Sequence, residues 1–232
     1  MTEFDIVGAD AIQSGRATDA YFDRTATTLE TAGRNPRVVA EVTADQFPTG
    51  SFELFAGLKD ALALLTDRPV DAYALPEGTV FDGGPVMRIE GPYLSFARLE
   101  TALLGFLSHA SAIATAALDC RVAAPDAQVL SFGARHVHPA MTAMVERSAL
   151  VAGLDGFSHV AAGDLIGREA SGTMPHALTI CFGRGEQEAA WRAFDEAVDE
   201  SVPRIALCDP YGDDIAEVLR AREAARDQPT RG

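Results

Sequence analysis

The segments VLSFGARHVHP (129–139), GFSHVAAG (156–163) and SGTMPHA (171–177) decide how this chain is read. Together they carry Arg135 and His136, His138, His159 and His176, four of the five histidines, in a chain of formal net charge −15. Each is a short apolar run that ends in polar and glycine residues before a helical pattern. In a parallel α/β barrel the strand ends and the loops after them form the face that holds the reacting groups. Val129 to Phe132 is therefore predicted as a strand with Gly133 to His136 at its carboxyl end. Pro139 suits the first turn of the helix that follows, where its missing N–H costs nothing.

Outward from this stretch the rhythm repeats. Val129–Phe132 precedes a helical pattern over Pro139–Val151, Gly156–Val160 precedes Ala162–Ile166, Ala177–Ile180 precedes Glu186–Val198, and Ile205–Leu207 precedes Asp213–Ala225. Alternation of this kind favours right-handed parallel crossovers. A closed barrel needs eight such units, and about four fit here before the hydrophilic stretch Asp227–Gly232. Upstream the pattern differs: a β-rich run at Arg37–Val42, an amphipathic helix over Phe52–Leu65, a strand at Val70–Leu75, a turn at Pro76-Glu77-Gly78, and a strand at Val86–Glu90 ended by Gly91-Pro92. A long apolar helix over Glu100–Leu118 follows. Strands first and a helix after them imply an α+β layer. The expected architecture is an N-terminal α+β sandwich layer over residues 1–124, followed over 125–232 by the first half of an α/β (TIM-like) barrel.

Composition narrows the function. The chain is 47% hydrophobic and 23% charged, ordinary globular values. An excess of 34 acidic over 19 basic residues opposes nucleic-acid binding, which needs a basic stripe. Lys59 is the only lysine. Such a balance suits solubility at high ionic strength and a halophilic source. The apolar passages Leu99–Leu107 and Ala110–Leu118 are interrupted by Ser108-His109 and read as buried helix rather than membrane span. The acidic Met1–Asp10 has no signal-peptide pattern, and Cys120, Cys181 and Cys208 form no CxxC pair. Reduced thiols and a cytoplasmic location are expected.

The same residues carry a resemblance. Phe132-Gly133-Ala134-Arg135, Gly156-Phe157-Ser158-His159 with Ala162-Gly163, and Gly172-Thr173-Met174-Pro175-His176-Ala177 resemble the nicotinate phosphoribosyltransferase family, in its archaeal branch. Thr18-Asp19-Ala20-Tyr21 resembles the family's amino-terminal motif, and Cys208-Asp209-Pro210-Tyr211 its Asp-Thr/Ser-Tyr segment. The resemblance implies a homodimeric enzyme of NAD biosynthesis. Nicotinate and phosphoribosyl pyrophosphate, the latter carrying Mg²⁺, would give nicotinate mononucleotide and pyrophosphate as ATP is hydrolysed. The family's members are longer, and their glycine-rich phosphate loops do not occur here. An incomplete form of the enzyme is one expectation. The alternatives are a quinolinate phosphoribosyltransferase, whose dicarboxylate substrate needs more arginine and lysine, and a non-catalytic truncated subunit or remnant.

By resemblance His176 accepts a phosphoryl group from ATP and is the catalytic residue, for which neutral imidazole is chemically suited. Tyr21 and Phe132 sandwich the pyridine ring, Tyr21 from a neighbouring subunit; their bland reading is packing against the core. Arg135 presents a planar fork of donors matched to a carboxylate, against a bland reading as a surface ion pair. Ser158 and His159 stand where the family usually has Ser-Asn in a turn beside the substrate. Asp209 contacts the ribose hydroxyls or magnesium, or else caps the helix near Asp213. Thr18 or Asp19 is placed to cap the helix containing Tyr21. If the strand continued past Phe132, alternation would put His136 and His138 on one face with Arg135 opposite. No resident metal site is expected, because a single carboxylate does not make one.

Overall fold

The computed structural model describes residues 4–44 and 52–226. In chain order the elements are α1 (Ala9–Gln13), α2 (Ala20–Thr31), β1 (Arg37–Thr43), β2 (Glu53–Leu54), α3 (Leu58–Leu65), β3 (Asp71–Ala74), β4 (Val80–Phe81), β5 (Pro85–Pro92) and α4 (Glu100–Ala123). Then come β6 (Leu130–Ser131), α5 (Thr142–Val151), β7 (Gly156–Phe157), α6 (Val160–Ile166), α7 (His176–Phe182), α8 (Gln187–Ala197) and α9 (Asp214–Arg226). The chain divides into two compact units, Met1–Ala170 and Ser171–Gly232. The boundary expected at 124/125 falls in the first unit, just past the end of α4.

The first unit is built on an antiparallel sheet in the order β1-β5-β3, with Ala40 opposite Ile89 and Ala72 opposite Ile89 on the other side. Alternation along β1 turns Val38, Ala40 and Val42 inward. They pack with Val86, Met87 and Ile89 of β5 against Leu64 and Leu65 of α3 and Leu103 and Leu107 of α4. β5 runs on through Gly91-Pro92 rather than stopping before them. A Cβ on Gly91 would stand 2.7 Å from the Val70 side chain, so this crossing needs a residue without one.

The helix predicted over Phe52–Leu65 begins only at Leu58. Gly57 takes φ +89°, a left-handed conformation that separates β2 from α3. Ahead of it Leu54 N–H donates to Thr115 Oγ1 (2.8 Å) and Ala56 N–H to Ser111 Oγ (3.0 Å). Two buried hydroxyls of α4 thus satisfy backbone groups that a neighbouring strand would otherwise take. α4, with the turn that leads into it, is long and apolar enough to cross a membrane by length and composition. Here Leu103, Leu107, Ala110, Ala114 and Ala117 are buried along it, and it packs on α3, α5 and β2. The other side, with Leu104, Gly105, Ser108, His109 and Ala112, is exposed, so the helix is half covered rather than fully buried.

After α4 the expected parallel rhythm is realised once. β6 pairs with β7 in parallel, Leu130 with Gly156 and Ser131 with Phe157, and α5 connects them. Asp155 pins this pair: its Oδ2 accepts from Val129 N–H (2.7 Å) and from the Arg121 guanidinium, and its carbonyl accepts from Arg168 (3.0 Å). The first two predicted strand–helix pairs are present with strands of two residues each, α6 beginning at Val160 where the second strand was expected to end, and the last two predicted strands are absent. Residues 177–180 lie inside α7, and 205–207 are irregular. A short apolar run reads equally as strand or buried helix. The run here continues through Cys181-Phe182 behind Pro175, which stands at the N-cap with extended φ/ψ and releases His176 into a first helical turn.

The second unit, taken by itself, packs Met174, Trp191 and Ala224 into a small core with Leu178, Phe194 and Leu207. Gln187 of α8 donates to Glu217 Oε1 of α9 (3.1 Å) in that interior. The predicted helices at 186–198 and 213–225 are observed within a residue or two of their expected ends. The hydrophilic stretch Asp227–Gly232 lies outside the described residues.

Candidate active site

Within the first unit, β6 and β7 deliver two adjacent loops from their carboxyl ends. Phe132 leaves β6 and is 43% exposed, which sets it apart from the core position its residue type favours. Gly133–His136 then form a 3-10 turn rather than a continued strand, so the expected alternation of Arg135 against His136 and His138 does not arise. Arg135 is exposed on this turn and has no acidic partner among the described residues, although acidic side chains outnumber basic ones in the chain. His138 instead caps the next turn, its Nδ1 accepting from Ala140 N–H (3.2 Å).

Ser158 and His159 follow β7, both half-buried. His159 Nδ1 accepts from Ala162 N–H (3.1 Å) and so caps α6. Such a ring nitrogen serves the first turn of the helix as the short side-chain acceptor of an asparagine would. Sequence reasoning missed both histidine caps, since histidine is not among the preferred capping residues.

Tyr21 stands on the first turn of α2 and is 59% exposed. Its hydroxyl donates to Asp19 Oδ2 (3.3 Å), while Thr101 Oγ1 donates to the same oxygen (2.9 Å) and accepts from Asp19 N–H (3.0 Å). Asp19 occupies the N-cap position but makes no side-chain cap; its carboxylate is turned to Thr101 and Tyr21. Partial loss of solvent, and then the Asp19 and Glu100 carboxylates, push the Tyr21 phenol above its usual range, so it remains a neutral ring with a fixed hydroxyl. Arg98 clamps α2 from below by reaching Asp23 (2.8 Å) and Glu30 (2.6 Å). Tyr21 forms no ring pair with Phe132 among the described residues; its ring neighbour is Phe22.

A cavity of about 760 Å³ also lies in this unit, lined by Phe106, Met141 and Met144 with Lys59, His109 and His138. None of Tyr21, Phe132, Arg135, Ser158 or His159 lines it.

In the second unit His176 Nε2 lies 3.1 Å from Asp209 Oδ1, with both side chains about half exposed. His176 is the first residue of α7. Asp209 is held by its neighbours: Trp191 Nε1 donates to Leu207 O (3.1 Å) and Tyr211 OH to Thr179 O of α7 (3.4 Å). The cap near α9 is Asp213, whose Oδ1 accepts from Ala216 N–H (3.3 Å), so Asp209 is left to the histidine. Burial, then the nearby Glu217 and Asp209, push the Cys208 thiol up, which makes it a poor nucleophile. Among the described residues no three His, Cys, Asp or Glu side chains gather in a way that would hold a metal ion.

Residues 19–111 match the family model described as "Quinolinate phosphoribosyl transferase, N-terminal domain". The chain is 39% identical to nicotinate phosphoribosyltransferase 2 of Arabidopsis thaliana over 136 residues, 57% of this chain and 24% of that protein. It is 34% identical to nicotinate phosphoribosyltransferase of Bacillus subtilis over 141 residues, 60% of this chain and 28% of that one. Among solved structures, nicotinate-nucleotide pyrophosphorylase from Pyrococcus furiosus superposes with a TM-score of 0.90 at 45% identity, covering 96% of this chain and 57% of that chain. Human nicotinic acid phosphoribosyltransferase gives 0.65 at 28% identity, covering 71% and 40%. The chain is a mixed α/β protein, and these matches show it to be similar to proteins of the quinolinate and nicotinate phosphoribosyltransferase class. Within that class the chain is related to the nicotinate phosphoribosyltransferase family. It spans about a quarter of the length of the curated relatives it matches.

Proposed function

We propose that this chain carries the α+β layer and first α/β-barrel units of a cytoplasmic, homodimeric nicotinate phosphoribosyltransferase. The observation that carries the reading is the His176–Asp209 pair at 3.1 Å. With Nε2–H donated to the Asp209 carboxylate, the imidazole keeps its Nδ1 lone pair available, and no protein group among the described residues hydrogen-bonds to Nδ1. Nδ1 attacks the γ-phosphorus of ATP, the N–P bond forms as the bond to the bridging oxygen breaks, and ADP departs. Asp209 stabilises the imidazolium as it develops. Water later cleaves the N–P bond, which returns the histidine and couples ATP hydrolysis to the main reaction.

In that reaction the nicotinate carboxylate lies on Arg135 and its ring on Phe132, with Tyr21 contributed to the site of a second copy. The ring nitrogen attacks the anomeric carbon of phosphoribosyl pyrophosphate and pyrophosphate leaves with its Mg²⁺. The exposure of both aromatic rings and the absence of an acidic partner for Arg135 among the described residues support these roles. Quinolinate is the second reading, favoured by the family model matched over residues 19–111. It asks for two carboxylate receptors, and the loops after β6 and β7 offer one arginine.

Equilibrium binding of labelled nicotinate and quinolinate tests the assignment. Nicotinate is expected to bind more tightly, and Arg135→Ala is expected to weaken it roughly tenfold through loss of a charge-assisted pair. Tighter binding of quinolinate, or nicotinate affinity indifferent to Arg135→Ala, contradicts it.

A further inference from the structure

We propose that Arg184 is a phosphate-binding residue for the nucleoside triphosphate that phosphorylates His176; this deepens the reading of His176 given above and rests on it. Arg184 follows the carboxyl end of α7, whose first residue is His176. It is exposed, and among the described residues it has no acidic partner, whereas Arg192 and Arg204 of the same unit are both ion-paired. Its guanidinium carbon instead lies 5.9 Å from the centroid of the Tyr211 ring.

That ring is itself fixed. Tyr211 OH donates to Thr179 O of α7, and Tyr211 is two residues from Asp209, the partner of His176. One helix and one short segment therefore hold both ends of a strip, with His176 and Asp209 at one end and Arg184 over Tyr211 at the other. A seven-residue helix is about 10 Å long, a span that a triphosphate with its ribose bridges and a single orthophosphate does not. A guanidinium held over an aromatic ring at this distance uses none of its N–H groups on that contact, which leaves them for phosphate oxygens. Gly183 and Gly185 flank the arginine at φ +107° and +98°, with no atom within 4 Å of the Cβ each would bear. The loop is thus shaped around Arg184 by backbone conformation rather than by packing.

The test is ATP binding by calorimetry on the whole chain, with label transfer to His176 followed separately. Arg184→Ala is expected to weaken ATP and inorganic tripolyphosphate roughly tenfold, with Arg184→Lys in between, while label still reaches His176 at saturating ATP. Arg222→Ala, which removes an exposed charge from α9, is expected to change neither. Failure of the unaltered chain to bind ATP, equal affinity in Arg184→Ala, or an equal loss in Arg222→Ala each overturns the inference. Loss of label in His176→Ala with ATP affinity retained separates the two roles; label that persists in His176→Ala overturns the His176 reading and, with it, the assignment of the bound triphosphate as that residue's phosphoryl donor.

Discussion

Glu77 shows how one side chain can hold several elements in place. Its Oε1 accepts from Gly57 N–H (2.8 Å), Leu58 N–H (3.0 Å) and Arg147 Nη1 (2.9 Å), and its Oε2 from Arg147 Nη2 (2.5 Å). It thereby supplies the first turn of α3 with an acceptor that Gly57 lacks and ties that turn to α5. Burial alone would raise its carboxyl, but the hydrogen bonds and charge of Arg147 and the two backbone donors outweigh burial and hold it below the usual range. A carboxyl depressed in the folded state stabilises above its unfolded value, and the benefit is lost as pH falls through the folded one. Glu77→Gln is therefore expected to cost about 1–3 kcal/mol near neutrality, with the difference from the unaltered chain shrinking below about pH 4. Denaturant unfolding at several pH values checks both size and trend. At this scale the sequence offered candidates through its motifs. Arg135, His176 and Asp209 each had a bland use as an ion pair, a helix-start side chain or a cap, and stood out only through the motifs that contain them. The roles of Glu77, His138 and His159 were hidden, because a cap or a clamp depends on which backbone N–H comes near in space.

Among elements, the sharpest contrast lies between two glycines around α4. A Cβ on Gly57 would stand 2.3 Å from Phe106 O, at φ +89°, so Gly57→Ala is strained both by its own backbone and against α4. A loss of about 2–4 kcal/mol is expected. Gly105 lies inside α4 with nothing within 4 Å of the added carbon, and Gly105→Ala is expected to gain about 0.5–1 kcal/mol. Thermal unfolding of the two variants should move in opposite directions; a Gly57→Ala chain as stable as the parent would contradict the described crossing. Legibility followed the periodicity. β1 was readable from its β-rich run and β3 from alternation, and α4, α5, α8 and α9 from their helical patterns. The segments at 177–180 and 205–207 were misread because a few apolar residues do not fix a period. Sheet pairing, which would have settled the choice, is not encoded in the run itself.

For the whole molecule, the imbalance of 34 acidic against 19 basic residues sets the expected response to salt. Screening shortens from about 10 Å at 0.1 M to about 3 Å at 1 M. Surface repulsion then falls more than the few arginine pairs lose, so the thermal midpoint is expected to rise with potassium chloride; a midpoint that falls steadily contradicts a chain balanced for high ionic strength. The order of motifs along the chain made its class legible, whereas the division after Ala170 was not, because compact units follow packing density rather than motif boundaries. The central claim is that His176 accepts phosphate from ATP as part of a nicotinate phosphoribosyltransferase, and localisation of label after incubation with γ-labelled ATP tests it most directly. Label that survives alkali, is lost in acid, maps to His176, disappears in His176→Ala and falls in Asp209→Asn is the predicted result. Label that persists in His176→Ala, or maps to another histidine such as His136, would contradict the account.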